Sequence, residues 1–222
     1  MEMEIHITPD GLCKVIQGKS RRVFYSTEEA IGLALLKINP AQVGPTVNWI
    51  DFLDSKGLAI GAVGDKALTL LTVPAKERTL PWRRGTISRE LKVTMPPLLI
   101  ATRFIKGRLN KAQIWLIRPG FEEKLSTASS DPCLSPFPYG NVYNTGIICW
   151  GTTVIRDISH PNEVEGVFFH SGFNGDLWSG GALGITETTL PDLVTRVEGK
   201  LPVPATSAFT KSVSAVAQDI TR

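Results

Sequence analysis

The chain has 222 residues, 42% of them hydrophobic and 20% charged, with a formal net charge of +3. This is globular composition, long enough to bury a sizeable core without disulfide staples, and it excludes a disordered or fibrous chain. No stretch approaches the roughly 20 apolar residues of a membrane span. Met1-Glu2-Met3-Glu4 is acidic and no apolar run follows it, so no secretory leader is expected and a reducing cytoplasm is the default setting. The three cysteines, Cys13, Cys133 and Cys149, are far apart and form no C-x-x-C pair, which argues against a zinc site or a disulfide framework.

In chain order, Glu4 to Ile7 alternates polar and apolar, and Cys13 to Ile16 and Arg22 to Tyr25 follow as further strands. Ser26-Thr27-Glu28-Glu29 reads as a capping box, and Ile31, Ala34, Leu35 and Ile38 continue at helical spacing, so residues 27–38 are predicted to form an amphipathic helix ended by Asn39-Pro40. Leu58 to Val63 and Ala67 to Val73 flank Gly64-Asp65 as a hairpin. Leu80-Pro81-Trp82-Arg83-Arg84-Gly85 breaks the pattern, and a soft boundary is placed near residue 86. It divides an N-terminal β-rich extension with one helix (1–86) from a core with C-terminal helices (87–222).

Leu98 to Phe104 and Gln113 to Ile117 form a second hairpin around Gly107-Arg108-Leu109-Asn110. Residues 120–140, rich in Ser, Pro, Asp and Gly, are predicted as a long irregular stretch. A mixed region follows Cys149-Trp150-Gly151, and helical patterns return at Pro191 to Val197 and Ser207 to Ile220. The fold class is α+β.

Charge is unevenly spread. Residues 1–118 carry 18 Lys+Arg against 10 Asp+Glu, and residues 119–222 carry 6 against 11, so the halves differ in sign. The surplus concentrates in residues 76–118, with 11 basic and 2 acidic side chains. Such a face suits an acidic protein partner, nucleic acid, or simply solvent. H-E-x-x-H, G-x-S-x-G, the Walker loop and a strand-following G-x-G-x-x-G do not occur, so metalloprotease, hydrolase, ATPase and dehydrogenase readings have no anchor.

One segment stands out: Pro136-Phe137-Pro138-Tyr139-Gly140-Asn141-Val142-Tyr143-Asn144-Thr145-Gly146-Ile147-Ile148-Cys149-Trp150. It resembles the active-site strip of ubiquitin-conjugating enzymes. In that strip an Asn is followed by a hydrophobic-aromatic pair, a Gly five positions on and the catalytic Cys eight positions on. Asn141, Val142-Tyr143, Gly146 and Cys149 fall at those places.

Leu80 to Gly85, Pro96-Pro97-Leu98-Leu99, Ile117-Arg118-Pro119, Pro136-Phe137-Pro138, the Cys149-Trp150-Gly151 step and Phe168-Phe169-His170-Ser171-Gly172-Phe173 add, in order, a resemblance to a divergent bacterial branch. That branch is the plasmid-associated PRTRC system protein B group, prokaryotic ubiquitin-conjugating family D. The likeness covers roughly residues 80–175. It departs from the wider family at Tyr139-Gly140, where a His-Pro is usual, and in lacking the usual aromatic-Pro-Pro segment before the strip.

The resemblance implies a UBC-like fold, an antiparallel meander flanked by helices. It implies Cys149 as the thiol that carries a ubiquitin-like modifier as a thioester and Asn141 as a neutral donor to the oxyanion, with Tyr143, Gly146, Trp150 and His170 in support. It also implies an adenylating activating enzyme, the modifier itself and a JAB-type metallopeptidase in the same bacterial pathway, with no cofactor, metal or membrane.

The residues alone admit plainer roles. A Cys after two isoleucines is ordinarily a buried small hydrophobe. Asn141 suits a turn, Tyr143 a core, and His170 a structural hydrogen bond or a general base near the sulfur. Cys133 stands in the loop before the strip, as the candidate partner for a regulatory disulfide with Cys149. Two rivals to the carrier remain. One is a catalytically inactive scaffold of the same fold in a plasmid-encoded complex. The other, ranked last because no aromatic stacking ladder accompanies the charges, is a nucleic-acid-binding module using residues 76–118.

Overall fold

The computed structural model describes residues 3–7, 12–17, 22–27, 48–51, 59–63, 66–122, 125, 131–155, 157–158, 161–180, 184, 186–187 and 189–221. Strands β1 (Met3–Ile7), β2 (Leu12–Gln17) and β3 (Arg22–Thr27) pair in order as a three-stranded antiparallel sheet. Ser26 and Thr27, read from sequence as the cap and first turn of a helix, lie within β3, where they pair with Cys13 and Leu12. The rest of that predicted helix lies outside the described residues.

A six-stranded antiparallel sheet is the frame for everything else. Its strands are β4 (Asn48–Asp51), β5 (Ala59–Val63), β6 (Lys66–Val73), β9 (Leu98–Ile105), β10 (Arg108–Ile117) and β11 (Leu134–Pro136). The spatial order is β11-β10-β9-β6-β5-β4. Between β6 and β9 the chain leaves the sheet as a hairpin, β7 (Lys76–Arg84) with β8 (Ile87–Met95). Residue 86, the expected soft boundary, is in the turn of this hairpin, and the six-stranded sheet takes strands from both sides of it. The pattern break at Leu80 to Gly85 is a strand after all. Pro81 is accommodated because its carbonyl faces outward, accepting from Phe173 N at 2.7 Å, and a proline at a strand edge gives up no ladder donor.

β9 and β10 are near-continuous apolar runs because both of their faces are covered. Alternate residues feed two cores. Leu71, Val73, Ile100, Ile114 and Leu116 point to one, and Leu68, Leu70, Leu99, Trp115 and Ile117 to the other. The first core is closed by Leu80, Trp82, Leu91 and Val93 of the hairpin and by helices α1 (Pro161–His170) and α2 (Leu190–Arg196). The second is closed by α3 (Val213–Thr221), whose buried Val213, Val216, Ala217 and Ile220 form a single stripe at helical spacing. The helix expected over Ser207 to Ile220 is thus split, a single 3₁₀ turn at Thr206–Ala208 preceding α3. No helix among the described residues is long and apolar enough to cross a membrane.

The mixed region after Cys149 contains α1, which sequence periodicity does not reveal. Gly166 sits mid-helix, and among the described side chains of the helix only Val164, Phe168 and Phe169 are buried. Aromatic packing holds it instead. Phe168 makes edge contacts with Phe137 at 5.6 Å, Phe169 at 4.9 Å and Phe173 at 5.3 Å between centroids. Arg78 of β7 lies 3.7 Å over the Phe169 ring and donates to Glu165, which also meets Lys76. Burial pushes the Glu165 carboxyl up, but these two cations outweigh it and hold it below its ordinary value. If α1 closes the first core, Phe168→Ala should cost about 3–5 kcal/mol in urea unfolding; a loss under about 1 kcal/mol would show that the core closes without it.

Candidate functional site

The outer edge of β10 is covered by three pieces of chain. β11 pairs with Trp115–Ile117, residues 146–148 bond the middle, and Ile158 O accepts from Leu109 N. The middle piece builds the site. Tyr143 N donates to Ile147 O at 2.9 Å and Gly146 N to Tyr143 O at 2.8 Å, which closes a tight turn. Ile114 N then donates to Gly146 O at 2.8 Å, and Ile148 N to Ala112 O at 3.0 Å, which fastens the turn to the sheet. One step further, Cys149 N donates to Asn141 O at 2.7 Å. The eight-residue spacing of Asn141 and Cys149 is therefore the two legs of one turn, and it brings the two residues side by side.

Gly146 is required by this docking. Its φ is +78°, and a Cβ there would stand 2.4 Å from the Trp115 ring. Asn141 has φ +57°, a left-handed conformation that Asn tolerates better than most residues. It is buried, and its amide nitrogen donates to Gly172 O at 3.0 Å and lies 3.5 Å from Ser171 Oγ. Both contacts are just past the C-terminus of α1, so Asn141 ties the turn to that helix.

Cys149 is half-buried. It opens on a cavity of about 340 Å³ that it shares with Asn141, Trp150, Arg83 and Asp176. Tyr143 is not a core residue. It is 47% exposed, and its hydroxyl donates to Cys149 Sγ at 3.6 Å. That contact, first through the hydrogen bond and then through the sulfur's charge, raises the phenol above its ordinary value. Trp150 packs edge-on to Phe168 at 6.4 Å and walls the cavity on the core side.

His170 does not line the cavity; its Nδ1 donates to Gly166 O at 2.7 Å within its own helix. Tyr139 is fully buried, with its hydroxyl donating to Pro202 O, and burial raises it strongly. Cys133 lies in the second core, across the sheet, so the disulfide with Cys149 considered from sequence is not within reach. A larger hollow of about 420 Å³ beside Gly199 holds no cysteine, and its Glu77, Arg78, Lys92 and Glu198 balance in charge.

Part of the basic stretch has structural work. Arg103 donates to Asn110 Oδ1 through Nε and Nη2 and to Thr221 O through Nη1, and Lys111 Nζ donates to Asp219 O at 2.7 Å. Both cap the C-terminal carbonyls of α3, where a positive charge is favourable. Sequence reasoning missed Arg83 and Asp176 as neighbours of Cys149, because they come from β7 and from the segment after α1. No family model, curated protein or solved structure matches the chain.

Two outcomes follow from this geometry. Gly146→Ala should cost about 2–4 kcal/mol, from backbone strain and the clash with Trp115. It should also speed Cys149 alkylation as the turn loosens, whereas a stability equal to wild type would mean that the turn does not sit on Trp115. Tyr143→Phe should slow alkylation of Cys149 by about two- to fivefold near neutral pH, since a hydrogen bond in open water keeps only a small part of its strength. The donor acts by favouring the thiolate, so the difference from wild type should be largest near neutral pH, where a thiol is mostly protonated, and should shrink as rising pH turns both variants into thiolate. Equal rates near neutral pH would contradict the contact.

Proposed function

We propose that this chain is a ubiquitin-conjugating-like carrier, in which Cys149 accepts a ubiquitin-like modifier from an activating enzyme as a thioester and passes it to an amine. The observation that carries the reading is the placement of an accessible thiol and Asn141 side by side at one open cavity, by a turn with the spacing of the conjugating-enzyme strip. The order of antiparallel sheet, cysteine turn and following helices supports a UBC-like arrangement, an argument from analogy of fold. The pathway partners are then an adenylating enzyme, the modifier and a JAB-type metallopeptidase, in a bacterial cytoplasm.

The chemistry suits sulfur. The Cys149 thiolate, its proton already given to solvent, attacks the carbonyl of the donor's thioester; the new S–C bond forms, the donor's S–C bond breaks, and the donor's sulfur leaves as a thiolate. In discharge a neutral amine attacks the same carbonyl, a C–N bond forms, the C–S bond breaks, Cys149 departs as the thiolate, and the surplus proton on nitrogen passes to solvent. The Tyr143 hydroxyl, already donating to Sγ, favours that departure. The Asn141 amide is occupied by Gly172 and Ser171 in this resting arrangement, so its direct contribution to the oxyanion requires that it leave them. This same engagement favours a second reading, the catalytically inactive scaffold, in which Asn141 only braces the turn.

With activating enzyme, modifier and ATP, wild type should gain a covalent adduct that reductant removes. Cys149→Ser should give a reductant-resistant adduct or none, and Cys149→Ala none, while Cys13→Ala and Cys133→Ala should charge. Asn141→Ala should charge but discharge slowly to lysine, and should lose about 1–2 kcal/mol of stability with its buried hydrogen bond. Charging of Cys149→Ala at the wild-type level would end the carrier reading, and a chain that never charges with its proper partners would leave the scaffold in its place.

A further inference from the structure

Arg83 approaches the site from outside the cysteine strip. Trp82 is buried in the first core, and the strand alternation turns Arg83 the other way, to the surface. The backbone there is held firmly. Arg83 N donates to Phe173 O at 2.7 Å, Phe173 N donates to Pro81 O at 2.7 Å, and Trp82 and Phe173 form a parallel bridge. This stitching brings Arg83 into the wall of the cavity that Cys149 lines. Its stem runs past Gly172, where an added Cβ would stand 3.8 Å from Arg83 Cδ.

The charges of the cavity are few. Of the residues that line it, Arg83 is the cation and Asp176 the anion. Asp176 is held by Asn174, whose amide donates to its Oδ2 at 3.0 Å and whose Oδ1 accepts from its backbone N–H at 3.0 Å. Among the described residues no ion pair joins Arg83 to Asp176 or to any other carboxylate. The neutral amide of Asn141 is spent on the protein itself. Among the described residues, Arg83 is therefore the charged donor of this cavity that the fold leaves open.

We propose that Arg83 is a specificity-determining anion-binding residue of the Cys149 cavity, pairing with a carboxylate carried by the molecule whose carbon the thiol attacks. The inference rests on the reading of Cys149 as the reacting thiol. It narrows the partner to an acyl donor with an acidic group close to its reacting carbonyl. A guanidinium is suited to this role, because its planar fork meets both oxygens of a carboxylate, which an ammonium cannot do.

Two alkylating reagents of nearly equal size test it on the full chain. Iodoacetate and iodoacetamide form the same S–C bond with loss of iodide, and differ in that the first carries a carboxylate. The readout is the ratio of their rates at the Cys149 peptide, measured by mass spectrometry, so a change in general reactivity cancels. Arg83→Ala and Arg83→Gln should lower the iodoacetate-to-iodoacetamide ratio about tenfold, and Arg83→Glu further. Arg83→Lys should keep part of it. Salt at about 1 M should bring wild type down toward Arg83→Ala. Arg89→Ala, on the same hairpin outside the cavity, should keep the wild-type ratio. A ratio equal in wild type, Arg83→Gln and Arg83→Glu overturns the proposal, even if Arg83→Ala misfolds. Selectivity without charging by the activating enzyme would defeat the carrier reading alone, and charging with a flat ratio would defeat this inference alone.

Discussion

The site depends on one constraint, the need to cover the outer edge of β10. A strand edge with unpaired N–H and C=O groups is costly when buried and adhesive when exposed. Here the middle of that edge is satisfied by Gly146 and Ile148, which exchange hydrogen bonds with Ile114 and Ala112. Everything about Cys149 follows from that exchange. The turn must cross Trp115 at van der Waals distance, so position 146 has no room for a side chain. Its two legs must then run together, so Asn141 and Cys149 become neighbours. The cysteine emerges one residue beyond the last edge bond, where the chain is free to turn away from the sheet.

Asn141 connects this turn to the opposite side of the cavity. Its left-handed backbone and its buried amide serve different ends, one to start the turn and the other to grip the end of α1. A small polar side chain that tolerates positive φ and donates from a planar amide is needed, and few residues supply both. A structural demand and a chemical one thus fall on the same residue. Substitution here moves stability and reactivity together, which is why the conservative reading of Asn141 as a turn residue and the catalytic one are both compatible with the sequence.

Strands were the most legible part of the sequence. The hairpins β5–β6 and β9–β10 follow from apolar runs around Gly64-Asp65 and Gly107, and α2 from its proline and apolar spacing. The Asn141–Cys149 pairing was legible because a tight turn is local. What stayed hidden was non-local. α1 is held by aromatic contacts to Phe137 and Phe173, and its own periodicity is weak. β11 is three residues long and exists only because β10 offers an edge. Tyr143 reads as apolar in a pattern, yet it faces water, because the turn it begins points away from the core. Arg83 reaches the cavity through a bridge from β7 to Phe173, and no spacing in the sequence encodes that.

The two described cysteine thiols show how the sheet separates chemistry from packing. Cys133 sits on the α3 side among Leu134, Val213 and Ile220. Burial pushes its thiol above the ordinary value, and a partial offset from the Val213 backbone and from Arg118 does not reverse this. A neutral, enclosed thiol is a poor nucleophile. Cys149 lies across the sheet in an open cavity, with a hydroxyl donating to its sulfur and a guanidinium in the wall. A charged or developing sulfur is thus tolerated on one face and penalised on the other. The same residue type is filler at 133 and reagent at 149, and the difference lies in which face of one sheet each side chain was given.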